Sequence, residues 1–339
     1  MSTIKQIAQK AGVSPTTVSN VLHGNTAKVS KATLERVEAI IRKEKYAPNM
    51  GAIILAHSNS RIIGVVLFKE ARSNETVMED PFSSAIVGAM EREIRMSGYF
   101  MMLHITTDED EVVRIARTWK LDGLILLWVP EETSRIIKRS IDTPVVFVDC
   151  YFAHPESGYH NVGLDDLRGG YEMAGYLLSM GHRRILFLAD SRGCSVSDQT
   201  RFEGCRQAFR ERGLAFSENS FILLSKDSHK REAVYKELAP PGSDYTALFF
   251  SADYYAAEAV SFFQQRDIEV PGQLSVAGFD DNMFSRFARP RLTTVHQDVS
   301  LKGKTAVSLV MRLIKGEPVP ERDVRLPVRL EIRDSVRRI

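Results

Sequence analysis

The chain has 339 residues, 44% of them hydrophobic and 26% charged, which predicts two or three compact units and excludes a disordered, collagenous or low-complexity chain. A formal charge of +2 hides an asymmetry: residues 1–60 carry eight basic side chains against three acidic, and the remainder 37 against 40. No apolar run approaches the roughly 20 residues that span a bilayer, and the polar start MSTIKQIAQK lacks a secretory core, so a cytoplasmic protein with no membrane partner is expected.

A basic head on a mildly acidic body suggests a polyanion partner for the head, since neutralising phosphates releases counterions. Thr3 and Gln6 have capping-box spacing, and Ile4, Ile7, Ala8 and Ala11 then share one helical face. Gly12 suits the positive φ of a tight exit, Ser14 is a good N-cap, and Pro15 suits the first position of a second helix. That helix turns Val18, Val21 and Leu22 inward and Pro15, Thr16, Thr17 and Asn20 outward, and it ends at His23-Gly24. Two short helices joined by a glycine turn form a helix-turn-helix, whose second helix fits a DNA major groove. A third helix, capped by Ser30, should bury Leu34, Val37, Ile40 and Ile41.

The segments TIKQIAQKAGVSPTTVSNVLHG and KVSKATLERVEAIIRKEKYAPN resemble the DNA-binding headpiece of the LacI/GalR (lactose repressor) family. The resemblance implies base-reading positions at Pro15, Thr16 and Asn20, with Lys28 as a further contact. Asn20 suits a bidentate contact to adenine, and Thr16 and Thr17 can bond bases or phosphates. The segment after Tyr46-Ala47-Pro48-Asn49 resembles the family's hinge helix, which orders on DNA and places a leucine in the minor groove. By that likeness Leu55 is the wedge and Ala52 permits close approach. Ile53 stands where the family usually has arginine, which removes a phosphate contact. The expected boundaries are 1–48 for the headpiece, 49–60 for hinge and linker, and 61–339 for a two-lobed effector-binding and dimerisation domain.

From Arg61 onward, apolar runs alternate with amphipathic segments: IIGVVLF, a helix over Phe82 to Ser97, a strand over Tyr99 to Ile105, LILLW, and VVFVD. The rhythm restarts with a helix over Leu167 to Met180 and the strands ILFLAD, ALFFS and LSVAGFDD. This predicts two similar α/β halves in succession, each on a parallel sheet. Ligands of such sheets bind beyond the carboxyl ends of the strands, which makes Trp128, Asp149 and Asp280 the first candidates. DPFSSAIVGAM, LDGLILL, TPVVFVD, GHRRI, TRFEG, VPGQLSVAGFDD and RLTTVHQD resemble the periplasmic-binding-protein-like effector domain of the same family. The resemblance implies a cleft lined by Phe82, Asp149, Arg201, Asp253 and Asp280. Carboxylates facing a guanidinium can hold vicinal hydroxyls, while Phe82 and Trp128 can cover a ring, so a small polar, sugar-like effector is expected. Ala252-Asp253 replaces the family's usual Asn-Asp, so a standard sugar geometry does not carry over.

Cys150, Cys194 and Cys205 lack CxxC spacing, which points to buried free thiols rather than disulfides or structural zinc. HExxH, GxSxG and GxGxxG are absent, and Gly303-Lys304-Thr305 follows Asp298 where a phosphate loop needs glycine. No enzyme, cofactor or metal is expected. A transport-type binding protein would share the cleft but would need export and would have no use for a basic head. The reading is a small all-α helix-turn-helix headpiece joined to an α/β two-lobed periplasmic-binding-protein-like domain, acting as a homodimeric repressor of operator DNA.

Overall fold

A computed structural model describes residues 3–22, 26–46, 59–70, 75–190, 196–239, 241, 243–319 and 321–339, with Lys28 described by its backbone alone. The chain divides into two compact units, Met1–Ser60 and Arg61–Ile339.

In the first unit, α1 (Ile4–Ala11) starts at a reciprocal cap. Thr3 Oγ1 accepts from the Gln6 N–H at 3.3 Å, and Gln6 Oε1 accepts from the Thr3 N–H at 2.8 Å. Gly12 ends α1 at φ 64°, where a side chain would be strained. Ser14 Oγ then accepts from the Thr17 N–H at 3.1 Å and opens α2 (Pro15–Leu22). Ser30 caps α3 (Lys31–Lys43) through the Thr33 N–H at 3.3 Å. Ile7, Ala8, Ala11, Val18 and Val37 are buried together, with Ile4, Val21, Leu22, Ile40 and Ile41 packed around them. Leu34, expected in that stripe, is half-buried outside the cluster. An ion pair of Lys10 with Glu44 at 2.7 Å ties α1 to the end of α3.

The second unit holds two six-stranded sheets. The first consists of β1 (Ile62–Phe68), β2 (Phe100–Thr106), β3 (Gly123–Leu127), β4 (Val145–Val148), β5 (Asn161–Leu164) and β11 (Asp323–Leu326). The second consists of β6 (Ile185–Ala189), β7 (Phe221–Leu223), β8 (Ala247–Phe250), β9 (Ser275–Asp280), β10 (Thr293–Gln297) and β12 (Val328–Glu331). Their orders are β11-β5-β4-β3-β1-β2 and β12-β10-β9-β8-β6-β7, and all pairings are parallel except β10 with β12. Inner strands such as β3 and β6 are buried at every residue because helices cover both faces.

The helices are α4 (Pro81–Met96), α5 (Glu109–Thr118), α6 (Glu131–Ser140), α7 (Asp166–Ser179), α8 (Val196–Arg210), α9 (Ser228–Leu238), α10 (Asp253–Gln264), α11 (Met283–Phe287) and α12 (Val299–Ile314). The lobes are not two successive halves. After β10 the chain returns to the first lobe, where α12 packs on α4 and β11 extends the sheet, before β12 joins the second sheet. Close packing selects this route: a Cβ on Gly303 would lie 2.8 Å from that of Ala89, and one on Gly123 would lie 2.7 Å from Val310 Cγ2. Helices α7 and α8 approach still more closely. A Cβ on Gly170 would sit 1.9 Å from the Arg201 carbonyl oxygen, and one on Gly204 would sit 2.1 Å from that of Leu167. This backbone contact holds α8, and with it Arg201, against the start of α7.

Candidate DNA-binding face and effector cleft

On the headpiece, Pro15 and Thr16 are exposed at the start of α2, and Thr17 and Asn20 are half-buried. The Thr17 hydroxyl lies 2.9 Å from Ser14 Oγ, so it is already engaged in the cap of its own helix. Lys28 closes the short turn Thr26–Lys28, and its side chain lies outside the described residues, as do Leu55, Ala52 and Ile53 of the expected hinge.

The body contains a cavity of about 120 Å³ whose walls include Phe82, Trp128, Asp149, Arg201 and Asp280. The structure therefore brings five of the six expected cleft residues together. Three of them leave their strands in the left-handed region: Trp128 at φ 60°, Asp149 at φ 53° and Asp280 at φ 111°. Each is a non-glycine residue in a sparsely populated conformation, a type of strain that gathers at ligand sites. The turn swings each side chain off its strand end and into the cavity. Phe82, the first-turn residue of α4, meets Trp128 with ring centroids 5.9 Å apart.

Behind the aromatic pair runs a buried polar chain. Lys302 Nζ on α12 donates to both oxygens of Asp149, at 2.9 and 3.0 Å, and to Gln297 Oε1 at 2.9 Å. Gln297 Nε2 in turn donates to Asp280 Oδ1 at 2.6 Å. On the other side, the Tyr151 hydroxyl lies 3.3 Å from Asp149 Oδ1 and 2.7 Å from Asp166 Oδ2. Asp166 Oδ1 accepts from Arg201 Nε at 2.8 Å, and Arg201 also donates to the Ser251 carbonyl at 2.7 Å. The Arg201 guanidinium lies flat against Phe279, 3.6 Å from its ring centre. Asp280 and Arg201, both on the cavity wall, are thus the two ends of one hydrogen-bonded chain that passes through both lobes.

Burial pushes the Asp280 carboxyl up to about 7, against the pull of Arg201, its hydrogen bond from Gln297, and Lys302. A carboxyl raised above its unfolded value favours folding while protonated, and that stability is lost as pH climbs from about 4 through about 7. Asp280→Asn keeps the acceptor for Gln297 without the charge. It should leave stability near pH 4 little changed, raise it near pH 8, and flatten the profile between. Thermal unfolding across that range checks this, and an equal shift at both ends would place the cost elsewhere.

Asp253 does not line the cavity. It is fully buried in the first turn of α10, where Oδ1 accepts from the Thr294 hydroxyl at 2.6 Å and Oδ2 from the Asn282 N–H at 3.0 Å. Space for it exists because residue 278 is glycine, whose Cβ would fall 2.2 Å from Asp253 Oδ1. Burial and the nearby Asp280 hold its carboxyl well above the ordinary carboxylate range. Ala252 takes the place on the wall. Asp281, beside Asp280, pairs with Arg333 and with His296 Nδ1 at 2.9 Å, and is structural.

Lys69, Asp80, Asp190, Ser197, Asp198, Ser251, Tyr255 and Gln297 also line the cavity. Asp190 and Gln297 end or follow strands β6 and β10, so the strand-end rule that finds Asp149 also reaches them. Lys302, 1% exposed, carries no such signal, because a lysine inside an amphipathic helix reads as solvent-facing. Cys150 and Cys205 are free and buried, and burial pushes the Cys150 thiol up to about 12. Cys194 lies outside the described residues.

Residues 3–49 match the model for bacterial regulatory proteins of the lacI family, and residues 174–336 that for a periplasmic binding protein-like domain. The HTH-type transcriptional regulator DegA of Bacillus subtilis is 30% identical over 98% of both chains. The regulator GalR of Escherichia coli is 29% identical over 95% of this chain and 92% of its own. Among solved structures, a complex of the transcriptional regulator CelR with cellobiose superposes with a TM-score of 0.72 at 25% identity, covering 99% of this chain and 100% of that one. A lac repressor dimer bound to operator and an anti-inducer superposes at 0.86 over 99% of each chain, at 24% identity, a likeness of fold.

Proposed function

The chain belongs to the lacI family of bacterial regulatory proteins, and from that membership we propose a cytoplasmic homodimeric repressor whose operator affinity is set by a small polar, sugar-like effector bound between the lobes. Residues 1–48 read DNA, 49–60 form hinge and linker, and 61–339 bind effector and dimerise. The observation that carries this reading is one chain with a capped helix-turn-helix and a cavity where carboxylates and a guanidinium meet two aromatic rings. Among the described residues no helix is long and apolar enough to cross a membrane. The protein acts by binding, without catalysis.

On DNA, Pro15, Thr16 and Asn20 face bases, Lys28 faces phosphate, and Leu55 is the minor-groove wedge. Thr17 acts chiefly by fixing the start of α2. The effector meets Phe82, Trp128, Arg201 and Asp280 directly, with Asp149 held behind by Lys302. A homodimer matches two half-sites because one recognition helix reads too few base pairs alone. The test is titration of the full chain onto operator DNA selected from random sequence. Asn20→Ala should relax base preference at one position in each half-site, at a cost of roughly 1–3 kcal/mol per contact. Lys28→Ala should weaken all sequences alike and lower the salt slope by about one per site. An Asn20→Ala protein with the parent's sequence preference would remove Asn20 from the reading set.

A further inference from the structure

Among the described residues the cavity wall is unbalanced in charge. It carries the carboxylates of Asp80, Asp149, Asp190 and Asp198, and the Asp280 carboxyl that burial pushes up to about 7, against the cations Lys69 and Arg201. Directly behind the wall, Asp166 and Lys302 add one charge of each sign. Both wall cations are already engaged by the protein. Arg201 serves Asp166 and the Ser251 carbonyl. Lys69 sits 3.3 Å from Asp80 and 4.9 Å from the centre of the Trp128 ring.

The start of α4, the other usual kind of place for an anion, is occupied as well. Helix α4 begins at the cavity, and its N-cap Asp80 takes the Ser83 N–H at 3.2 Å and the Ser83 hydroxyl at 2.6 Å. At the start of α4 the protein has thus placed its own carboxylate where a phosphate would bind. Asp198, in the first turn of α8, lies 3.7 Å from Arg201 and adds a further carboxylate to the wall. A neutral or positive ligand meets none of this opposition, because hydroxyl and ammonium groups donate to carboxylates.

We propose that the cleft selects its effector by charge: it takes a donor-rich compound, neutral or amine-bearing, and rejects phosphorylated and carboxylated ones. This rests on the effector site proposed above and adds the ligand's chemical class. The rejection has a physical scale. One added negative charge among several carboxylates is opposed more strongly than in bulk solvent, so a phosphate ester should bind at least about tenfold more weakly than its parent alcohol.

The test uses the full chain and reads occupancy of the cleft, separately from DNA binding. Thermal unfolding is followed in inorganic phosphate and in chloride of equal ionic strength, and then with sugars presented in matched free, 2-amino and phosphate-ester forms. The expected result is stabilisation by any sugar scaffold that fits only in its free or amino form, and an effect of phosphate that is the same in the parent and in Arg201→Met, since phosphate stabilises folded proteins generally and also meets the basic head. An Asp190→Asn/Asp198→Asn double variant should gain response to phosphate relative to the parent. Stabilisation of the parent by phosphate that is lost in Arg201→Met, or a phosphate ester that binds better than its free sugar, overturns the proposal. If a bound free or amino sugar leaves operator affinity unchanged, the control of DNA binding fails while the charge selection stands.

Discussion

Arg201→Ala should abolish the response of operator affinity to effector and lower the stability of the body by about 3–5 kcal/mol, the usual cost of breaking a buried ion pair. Arg201 and its partner Asp166 have side chains 10% and 1% exposed, with Nε and Oδ1 2.8 Å apart. Removing the guanidinium leaves Asp166 with the Tyr151 hydroxyl in place of a cation, bares the face of Phe279, and removes the donor to the Ser251 carbonyl. Stability and signalling can be separated by adding Asp166→Asn, which removes the stranded charge. The double variant should recover much of the stability but none of the effector response. Denaturant unfolding measures the first, and operator titration with and without effector the second. A double variant that again responds to effector would show that Arg201 only supports the fold.

Lys302→Met should cost a similar amount, about 3–5 kcal/mol, despite lying on a helix. Its side chain is 1% exposed and that of Asp149 is 7%, and the ammonium is divided between Asp149 and Gln297. Methionine fills the volume but leaves the buried Asp149 side chain with the Tyr151 hydroxyl in place of a cation. Asp149→Asn alone strands the lysine in the same way, whereas the two changes together remove both charges. The double mutant should therefore be more stable than the sum of the single losses predicts, with a coupling of about 1–3 kcal/mol. Effector affinity should fall in Lys302→Met even though Lys302 is not on the cavity wall, since Gln297, which orients Asp280, loses its anchor. A loss below about 1 kcal/mol would mean that water replaces the ammonium.

Reciprocity bounds what such variants can do to the coupling between sites. An effector that shifts operator affinity does so by its differential affinity for two arrangements of the lobes, typically about 1–3 kcal/mol, and DNA alters effector affinity equally. The chain from Asp280 through Lys302, Asp149 and Tyr151 to Arg201 lies across the segments that pass between the lobes.

Some features were legible from neighbouring residues alone. The Thr3–Gln6 cap, the Gly12 turn, the Ser14 and Ser30 caps and the strand ends at Trp128, Asp149 and Asp280 each depend on φ preferences and hydrogen bonds within a few residues. Local sequence determines such features because the partners are covalently close. The return of α12 and β11 to the first lobe, the burial of Lys302 and the withdrawal of Asp253 beneath Gly278 were decided by partners far away in sequence. Lys302 meets Asp149 across 153 positions, and Thr294 meets Asp253 across 41. An amphipathic pattern states that a helix has a buried face, but not which sheet covers it. A carboxylate near a strand end can point outward to a ligand or inward to a hydroxyl, and only the space left by a distant glycine settles which.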